Sequence, residues 1–222
     1  MTRIRDGLFK IYTTLDGLPN DFIGAIHEDT NGDLWIGTLG GLSKFKDDRF
    51  TTYTTKDGLS SDTVTSLYED SAGTLWIGTS GGGLIRFKDG KFVAFTTRAG
   101  LPDDVVYRIL EDQGGNLWLA CGKGIFRIDK KELDSFAGGE ANAITFVAYG
   151  TADGMTTREC SGGGHPSAWK GSGGKLWFST IKGVVIIDPA ETKINTQPPP
   201  VVIDQVLIDN ESFTPGQRIE LP

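Results

Sequence analysis

Short apolar runs of five to seven residues alternate along this chain with clusters of Gly, Asn and Asp, and the alternation is itself periodic. The runs Phe22–Glu28, Leu34–Thr38, Leu42–Lys46 and Phe50–Thr54 are separated by Asp29–Gly32, Gly40-Gly41 and Asp47-Asp48. Each run has the length and composition of a strand, and each gap holds residues that tolerate positive φ or fold their side chains back onto the turn. The pattern recurs as Val64–Glu69, Leu75–Thr79, Leu84–Lys88 and Phe92–Thr96, then as Val105–Glu111, Leu117–Cys121, Ile125–Asp129 and Ile144–Tyr149. Trp35, Trp76 and Trp118 are 41 and 42 residues apart, each inside a near-copy of Asp-x-x-Gly-x-Leu-Trp-Ile-Gly-Thr. A degenerate fourth copy ends in Leu176-Trp177-Phe178-Ser179-Thr180. Four short antiparallel strands in about 40 to 45 residues is the arithmetic of one β-propeller blade.

The register assigns residues 1–197 to propeller blades: outer strands in 1–14, blade one in 22–54, blade two in 63–96, blade three in 105–149 and blade four in 158–188. Phe9 and Tyr12 precede Phe50 and Tyr53 by 41 residues, so residues 1–14 match the two outer strands of a blade without its inner pair. Residues 130–143 are an insertion in an outer hairpin, with a short helix expected over Lys131–Ala137. Residues 198–222 open on Pro198-Pro199-Pro200, a stiff segment without backbone donors, and Val201–Ile208 alternates like the first strand of another module. Leu8–Thr14 is an orphan outer strand and blade four lacks one. The two are expected to pair within one chain, as a strained four-bladed ring, or between two chains. Repeats suited to a shallower angle between blades favour part of a larger, seven-bladed ring, assembled by self-association when isolated.

With 222 residues, 38% of them apolar, the chain has material for a substantial core. A net charge of −7 without clustered Lys and Arg argues against a nucleic-acid surface. There is no apolar run long enough for a membrane span and no signal-peptide pattern at Met1–Asp6, so no membrane contact by this segment is expected. Two cysteines, Cys121 and Cys160, leave the redox compartment open.

Most repeated residues have structural readings. The Leu-Trp tryptophans are expected to fill the wedge between blades, with a carbohydrate-stacking platform as the sharper alternative. The glycine after Trp-Ile allows a neighbouring sheet to approach. Asp29, Asp70 and Asp112 each open a turn ending in Gly and are expected to accept turn N–H groups. A calcium loop is disfavoured because Ala72 and Thr74 break the oxygen series in the second copy. No metal site and no cofactor are expected. His27 replaces Tyr68 and Leu110 of the other copies and reads as packing, while His165 is a lone loop histidine. No nucleophile elbow and no phosphate-binding loop are present, so no catalytic residue is assigned.

The connectors between blades are the more informative element: Asp16-Gly17-Leu18-Pro19-Asn20-Asp21, Asp57-Gly58-Leu59-Ser60-Ser61-Asp62, Ala99-Gly100-Leu101-Pro102-Asp103-Asp104 and Asp153-Gly154-Met155. In a propeller they reach one face near the axis. Gly and Leu are expected to fix the crossing, while the Asp is open to two readings, a cap for the next strand or a recognition group. Asn20, Asp21, Ser61, Asp62, Asp103, Asp104, Arg158, Glu159 and His165 form a candidate ligand-binding face.

The unit Asp-Gly-Leu-Pro-x-Asp, then Glu-Asp-x-x-Gly-x-Leu-Trp-Ile-Gly-Thr, then Gly-Gly-Leu-x-x-Phe resembles the two-component regulator propeller repeat of bacterial hybrid histidine kinases, from Arg3 to Asp188. Glu159-Cys160-Ser161-Gly162-Gly163, His165-Pro166 and Gly183–Pro189 resemble the last blade of that family, running into its immunoglobulin-like triple-tyrosine domain. The resemblance implies a periplasmic, non-enzymatic sensory module of a signalling receptor, with a small-molecule or oligosaccharide ligand, although no residue identifies a sugar. Two alternatives stay open. One is a lyase similar to virginiamycin B lyase, for which His165 and Glu159 are the candidate pair, and the other is a protein assembly scaffold.

Overall fold

The computed structural model describes residues 1–164 and 166–192 together with the backbone of 206–208 and 211–213. The chain divides into two units, Met1–Ala190 and Glu191–Pro222. The first is a β-propeller of antiparallel sheets. A hairpin of β1 (Thr2–Arg5) and β2 (Leu8–Ile11) precedes blade one, formed in order by β3 (Ile23–Glu28), β4 (Leu34–Thr38), β5 (Gly41–Lys46) and β6 (Arg49–Tyr53). Blade two is β7 (Val64–Glu69), β8 (Leu75–Thr79), β9 (Leu84–Lys88) and β10 (Lys91–Phe95). Blade three is β11 (Val106–Glu111), β12 (Asn116–Cys121), β13 (Gly124–Asp129) and, after helix α1 (Lys130–Ala137), β14 (Val147–Tyr149). Blade four has three strands among the described residues: β15 (Ala168–Lys170), β16 (Leu176–Thr180) and β17 (Gly183–Ile187). In the second unit β18 (Val206–Ile208) pairs with β19 (Glu211–Phe213) as a hairpin, while Pro198-Pro199-Pro200 and the start of the expected strand at Val201 lie outside the described residues.

The blades stack through the tryptophans. Trp35 packs on Val64, Leu67 and Leu75 of blade two, Trp76 on Val106, Ile109 and Leu117 of blade three, and Trp118 on Cys160, Ala168 and Leu176 of blade four. These three are 4%, 1% and 0% exposed. Each removes about 150–250 Å² from water, roughly 4–6 kcal/mol as an upper estimate. Gly37 shows why a glycine follows the Trp-Ile pair, because a Cβ there would lie 2.4 Å from Cγ1 of Val64 on the next blade.

The ends of the stack differ from its interior. Tyr12 packs edge-on against Phe45 and Phe50, with centroids 5.1 and 5.6 Å away, so β1–β2 sits as the outer pair of a preceding blade. Among the described residues β2 pairs with β1 alone, and the expected pairing of Leu8–Thr14 with blade four within one chain is not seen there. On blade four Trp177 is 42% exposed and Trp169 opposite it 62%, with exposed Val184 and Ile186 on β17. In the other blades the residue facing the tryptophan on the third strand is Lys44, Arg86 or Arg127.

Candidate functional site

Each connector is built the same way. The last strand runs into a one-turn 3-10 helix (Thr14–Asp16, Thr55–Asp57, Thr97–Ala99 and Thr151–Asp153), closed by a glycine at φ 110°, 110°, 99° and 94° respectively. Those angles lie in the left-handed region, which glycine alone enters without strain. Asp16, Asp57 and Asp153 close the turn by accepting the N–H of Thr13, Thr54 and Gly150 at 2.8, 2.8 and 2.9 Å. Leu18, Leu59, Leu101 and Met155 then plug into the core.

The structure gives the sequence-predicted site residues distinct positions. Asp21, Asp62 and Asp104 accept the N–H of Thr14, Thr55 and Thr97 at 3.0, 2.6 and 2.7 Å. They therefore cap the 3-10 turn behind them rather than the strand ahead, because three equivalent N–H groups at the turn's start have no intrahelical acceptor. Asn20, Ser61 and Asp103 start the first strands, accepting from the N–H two residues on: Phe22 at 2.8 Å, Thr63 at 3.2 Å and Val105 at 3.2 Å. Arg158 and Glu159 are exposed, and the Glu159 carbonyl accepts the Ile181 N–H at 3.2 Å. His165 lies outside the described residues.

The same face carries the turns between second and third strands, which lock onto the connectors. Ser61 Oγ donates to the Ser80 carbonyl at 2.9 Å, Ser60 Oγ to the Gly82 carbonyl at 2.6 Å, and the Gly81 N–H to the Asp104 carbonyl at 2.9 Å. Behind this rim the first strands of blades one to three and the loop leading into blade four meet at a cavity of about 320 Å³, with Phe22, Leu39, Val64, Tyr107, Arg108 and the Gly162–Gly164 backbone in its wall. In blades one to three a register shift interrupts the first strand beside this hub, between Ile23 and Ala25, Val64 and Ser66, and Val106 and Arg108. Such bulges re-aim side chains at barrel rims and next to sites. Tyr107 links the rim to the cavity: burial raises its phenol above the ordinary range, and the charges of Asp103 and Glu159 push the same way.

Two features escape a reading of the sequence alone. The turn carboxylates Asp29, Asp70 and Asp112 accept more than turn N–H groups: each also takes the indole N–H of its blade's tryptophan, at 3.0, 2.9 and 2.8 Å. Burial pushes the Asp70 carboxyl up, but the Trp76 indole, the Thr74 N–H and Lys130 outweigh it and hold the group below its ordinary value. Asp112 is lowered in the same way by Asn116, Trp118 and Gly114 against its burial. The six-residue Asp-to-Trp spacing, repeated three times, carried that signal. The second is Arg108, which takes the register position filled by Ala25 and Ser66 in blades one and two. A large cation among small residues was visible once the copies were aligned by strand.

Among the described residues there is no cluster of three or more His, Cys, Asp and Glu side chains able to hold a metal, and no helix long and apolar enough to cross a membrane.

The two component regulator propeller family matches three segments, residues 17–40, 58–81 and 100–123, each running from a connector to the turn after the tryptophan strand. A comparison with curated proteins finds no match. Among solved structures, the extracellular domain of the hybrid two component system BT3049 from B. thetaiotaomicron is 26% identical with a TM-score of 0.73, covering 95% of this chain and 27% of its own. The extracellular domain of BT4673 from the same organism is 23% identical with a TM-score of 0.65, covering 83% of this chain and 26% of its own. Virginiamycin B lyase from Staphylococcus aureus shares the fold at 17% identity and a TM-score of 0.57, covering 84% of this chain and 61% of its own. This chain therefore spans about a quarter of the two-component domains it matches. The chain is a β-propeller, three segments of which match the two component regulator propeller family, and it is similar to the extracellular domain of a hybrid two component system.

Proposed function

We propose that this chain is a non-enzymatic sensory module of a two-component receptor, working on the periplasmic side of the membrane. In this reading a small molecule or oligosaccharide enters across the connector face, and its occupancy passes to the C-terminal unit. The observation that carries the proposal is the convergence of the first strands of blades one to three and the Gly162–Gly164 loop on one cavity beneath the connector face. Loops held by a rigid scaffold are where recognition is placed, and the repeats match the extracellular domains of two-component systems.

A thermal-shift screen against oligosaccharides and small metabolites tests it. A ligand present at a hundred times its dissociation constant stabilises the fold by about 2.7 kcal/mol. The lyase alternative draws on the shared fold alone and needs His165 as base and Glu159 as a metal-binding carboxylate converging on one face. Turnover of a streptogramin substrate that is lost in His165→Ala would favour it over the sensor, and partner capture without any small-molecule stabilisation would favour a scaffold.

A further inference from the structure

Arg108 is the only charged side chain among the described residues that line the hub cavity. Its Nε is buried and has no hydrogen-bond partner, and the guanidinium enters no hydrogen bond or ion pair with any described residue. Burial alone pulls its pKa down, with no carboxylate acting in the opposite direction. Three other partly buried cations are paired with carboxylates. Lys44 meets Asp29 and Asp33 at 3.6 and 2.7 Å, Lys130 bridges Asp70 and Glu111, and Arg86 meets Asp134 at 3.0 Å. In a chain of net charge −7, carboxylates are abundant, yet none among the described residues neutralises the cation at the hub.

A buried guanidinium donor left without an acceptor is costly, and native proteins rarely retain one without a use. Its surroundings suit a ligand. Phe22, Leu39 and Val64 supply apolar wall, Tyr107 an aromatic one, and Gly162–Gly164 a backbone without side chains in the way. A Cβ on Gly162 would lie 2.4 Å from the Tyr107 ring, so this loop passes as close to Tyr107 as its backbone permits.

We infer that the hub cavity binds a small oxyanion-bearing molecule, its carboxylate, sulfate or phosphate group paired with the Arg108 guanidinium and its body against the Phe22, Leu39 and Tyr107 walls. A guanidinium fork matches a two-oxygen anion with two parallel hydrogen bonds, which an ammonium cannot do. The inference rests on the sensory reading above and narrows its ligand class.

The test is calorimetric titration of the full chain with glucuronate, glucose, inorganic sulfate and inorganic phosphate, in wild type, Arg108→Gln and Arg108→Lys, alongside thermal melts of each protein without ligand. Glucuronate is expected to bind and glucose to bind about tenfold or more weakly, the loss that goes with charged hydrogen bonds. Sulfate and phosphate distinguish a free anion from an anionic group on a ring: binding as tight as glucuronate assigns the site to the inorganic ion, and weaker binding assigns part of the recognition to the walls. Arg108→Gln is expected to abolish the charge preference and Arg108→Lys to weaken it, while the Arg108→Gln melting temperature is unchanged or higher. A lower melting temperature in Arg108→Gln makes the residue structural and overturns the inference. Equal binding of glucuronate and glucose, unaffected by Arg108→Gln, overturns the anion assignment and leaves the sensory reading standing. No binding of any of the three anions to wild type also overturns the anion assignment, and the broad thermal-shift screen then decides separately whether the module binds small molecules.

Discussion

Replacing Asp112 by alanine isolates the contribution of the aspartate that ties each turn to its tryptophan. Its carboxylate accepts the Gly114 N–H at 2.8 Å, the Asn116 N–H at 3.0 Å and the Trp118 indole N–H at 2.8 Å, and Trp118 is fully buried. After Asp112→Ala the indole N–H faces neither acceptor nor water, at a cost of about 1–3 kcal/mol. The two turn N–H groups, only partly buried, rotate toward solvent and lose about 0.5–1 kcal/mol each. A total of about 2–5 kcal/mol corresponds to a fall in melting temperature of roughly 4–20 °C for a chain of this size. Differential scanning calorimetry of wild type and variant reads it directly. Blade four supplies the converse, because its turn keeps the same backbone bonds, Gly171 N–H to the Lys175 carbonyl at 2.9 Å and Gly174 N–H to the Gly171 carbonyl at 3.0 Å, with glycine in place of the aspartate. A Cβ at Gly171 would lie 3.5 Å from Trp177 Nε1, so Gly171→Asp is expected to raise the melting temperature by about 1–3 °C, a smaller effect because this tryptophan is half exposed. A loss below about 2 °C in Asp112→Ala would refute the reasoning, since no single unsatisfied buried N–H is that cheap.

Asp29, Asp70 and Asp112 titrate below the ordinary carboxylate range when folded. Their stabilisation is present above the unfolded value of about 3.9 and is lost as pH falls through the folded values, so melting temperature should drop steeply below about pH 4, and Asp112→Asn should flatten that slope. Burial lifts the Cys121 thiol well above its ordinary value and the Cys160 thiol to about 11. Neither should react with a thiol reagent at neutral pH unless the fold opens, so labelling that follows global unfolding is expected and fast native labelling would contradict their burial. The exposed apolar face of Trp169, Trp177 and Ile186 on blade four and that of Ile4 and Phe9 on the N-terminal hairpin are the same kind of surface that neighbouring blades bury against each other. Head-to-tail self-association of this chain should appear as a concentration-dependent mass in light scattering, weakened by Trp177→Ser, and a constant single-chain mass would count against it.

The period of the sequence located almost every strand, because turn residues and strand residues alternate without overlap in blades one to three. Boundaries moved by one residue where a glycine or basic residue was drawn into the ladder, as at Gly41, Lys91 and Gly124. The expected strand at Ile144 begins instead at Val147, since the Ile144 N–H goes to the Ala99 carbonyl at 2.9 Å and its side chain enters the core between blades. The burial of the tryptophans was legible for three copies; Trp177 departs because no described blade follows it, a fact of packing that no local pattern states. At the site, the connectors were legible as a set but the duties of their aspartates were not. Asp21, Asp62 and Asp104 look like free recognition carboxylates in sequence, and only the backbone path shows an N–H within reach seven residues earlier. Arg108 was hidden for the opposite reason, because within its own strand it reads as an ordinary surface cation.

Hydrogen–deuterium exchange of the full chain, with and without a compound that stabilises it, tests most directly the claim that recognition occurs at the connector face and hub. Protection gained in residues 14–24, 55–66, 97–108 and 151–164, with the outer hairpin turns near Asp47 and Asp89 unchanged, is the predicted result. Protection confined to those outer turns or to helix α1 would place the ligand elsewhere and contradict the account.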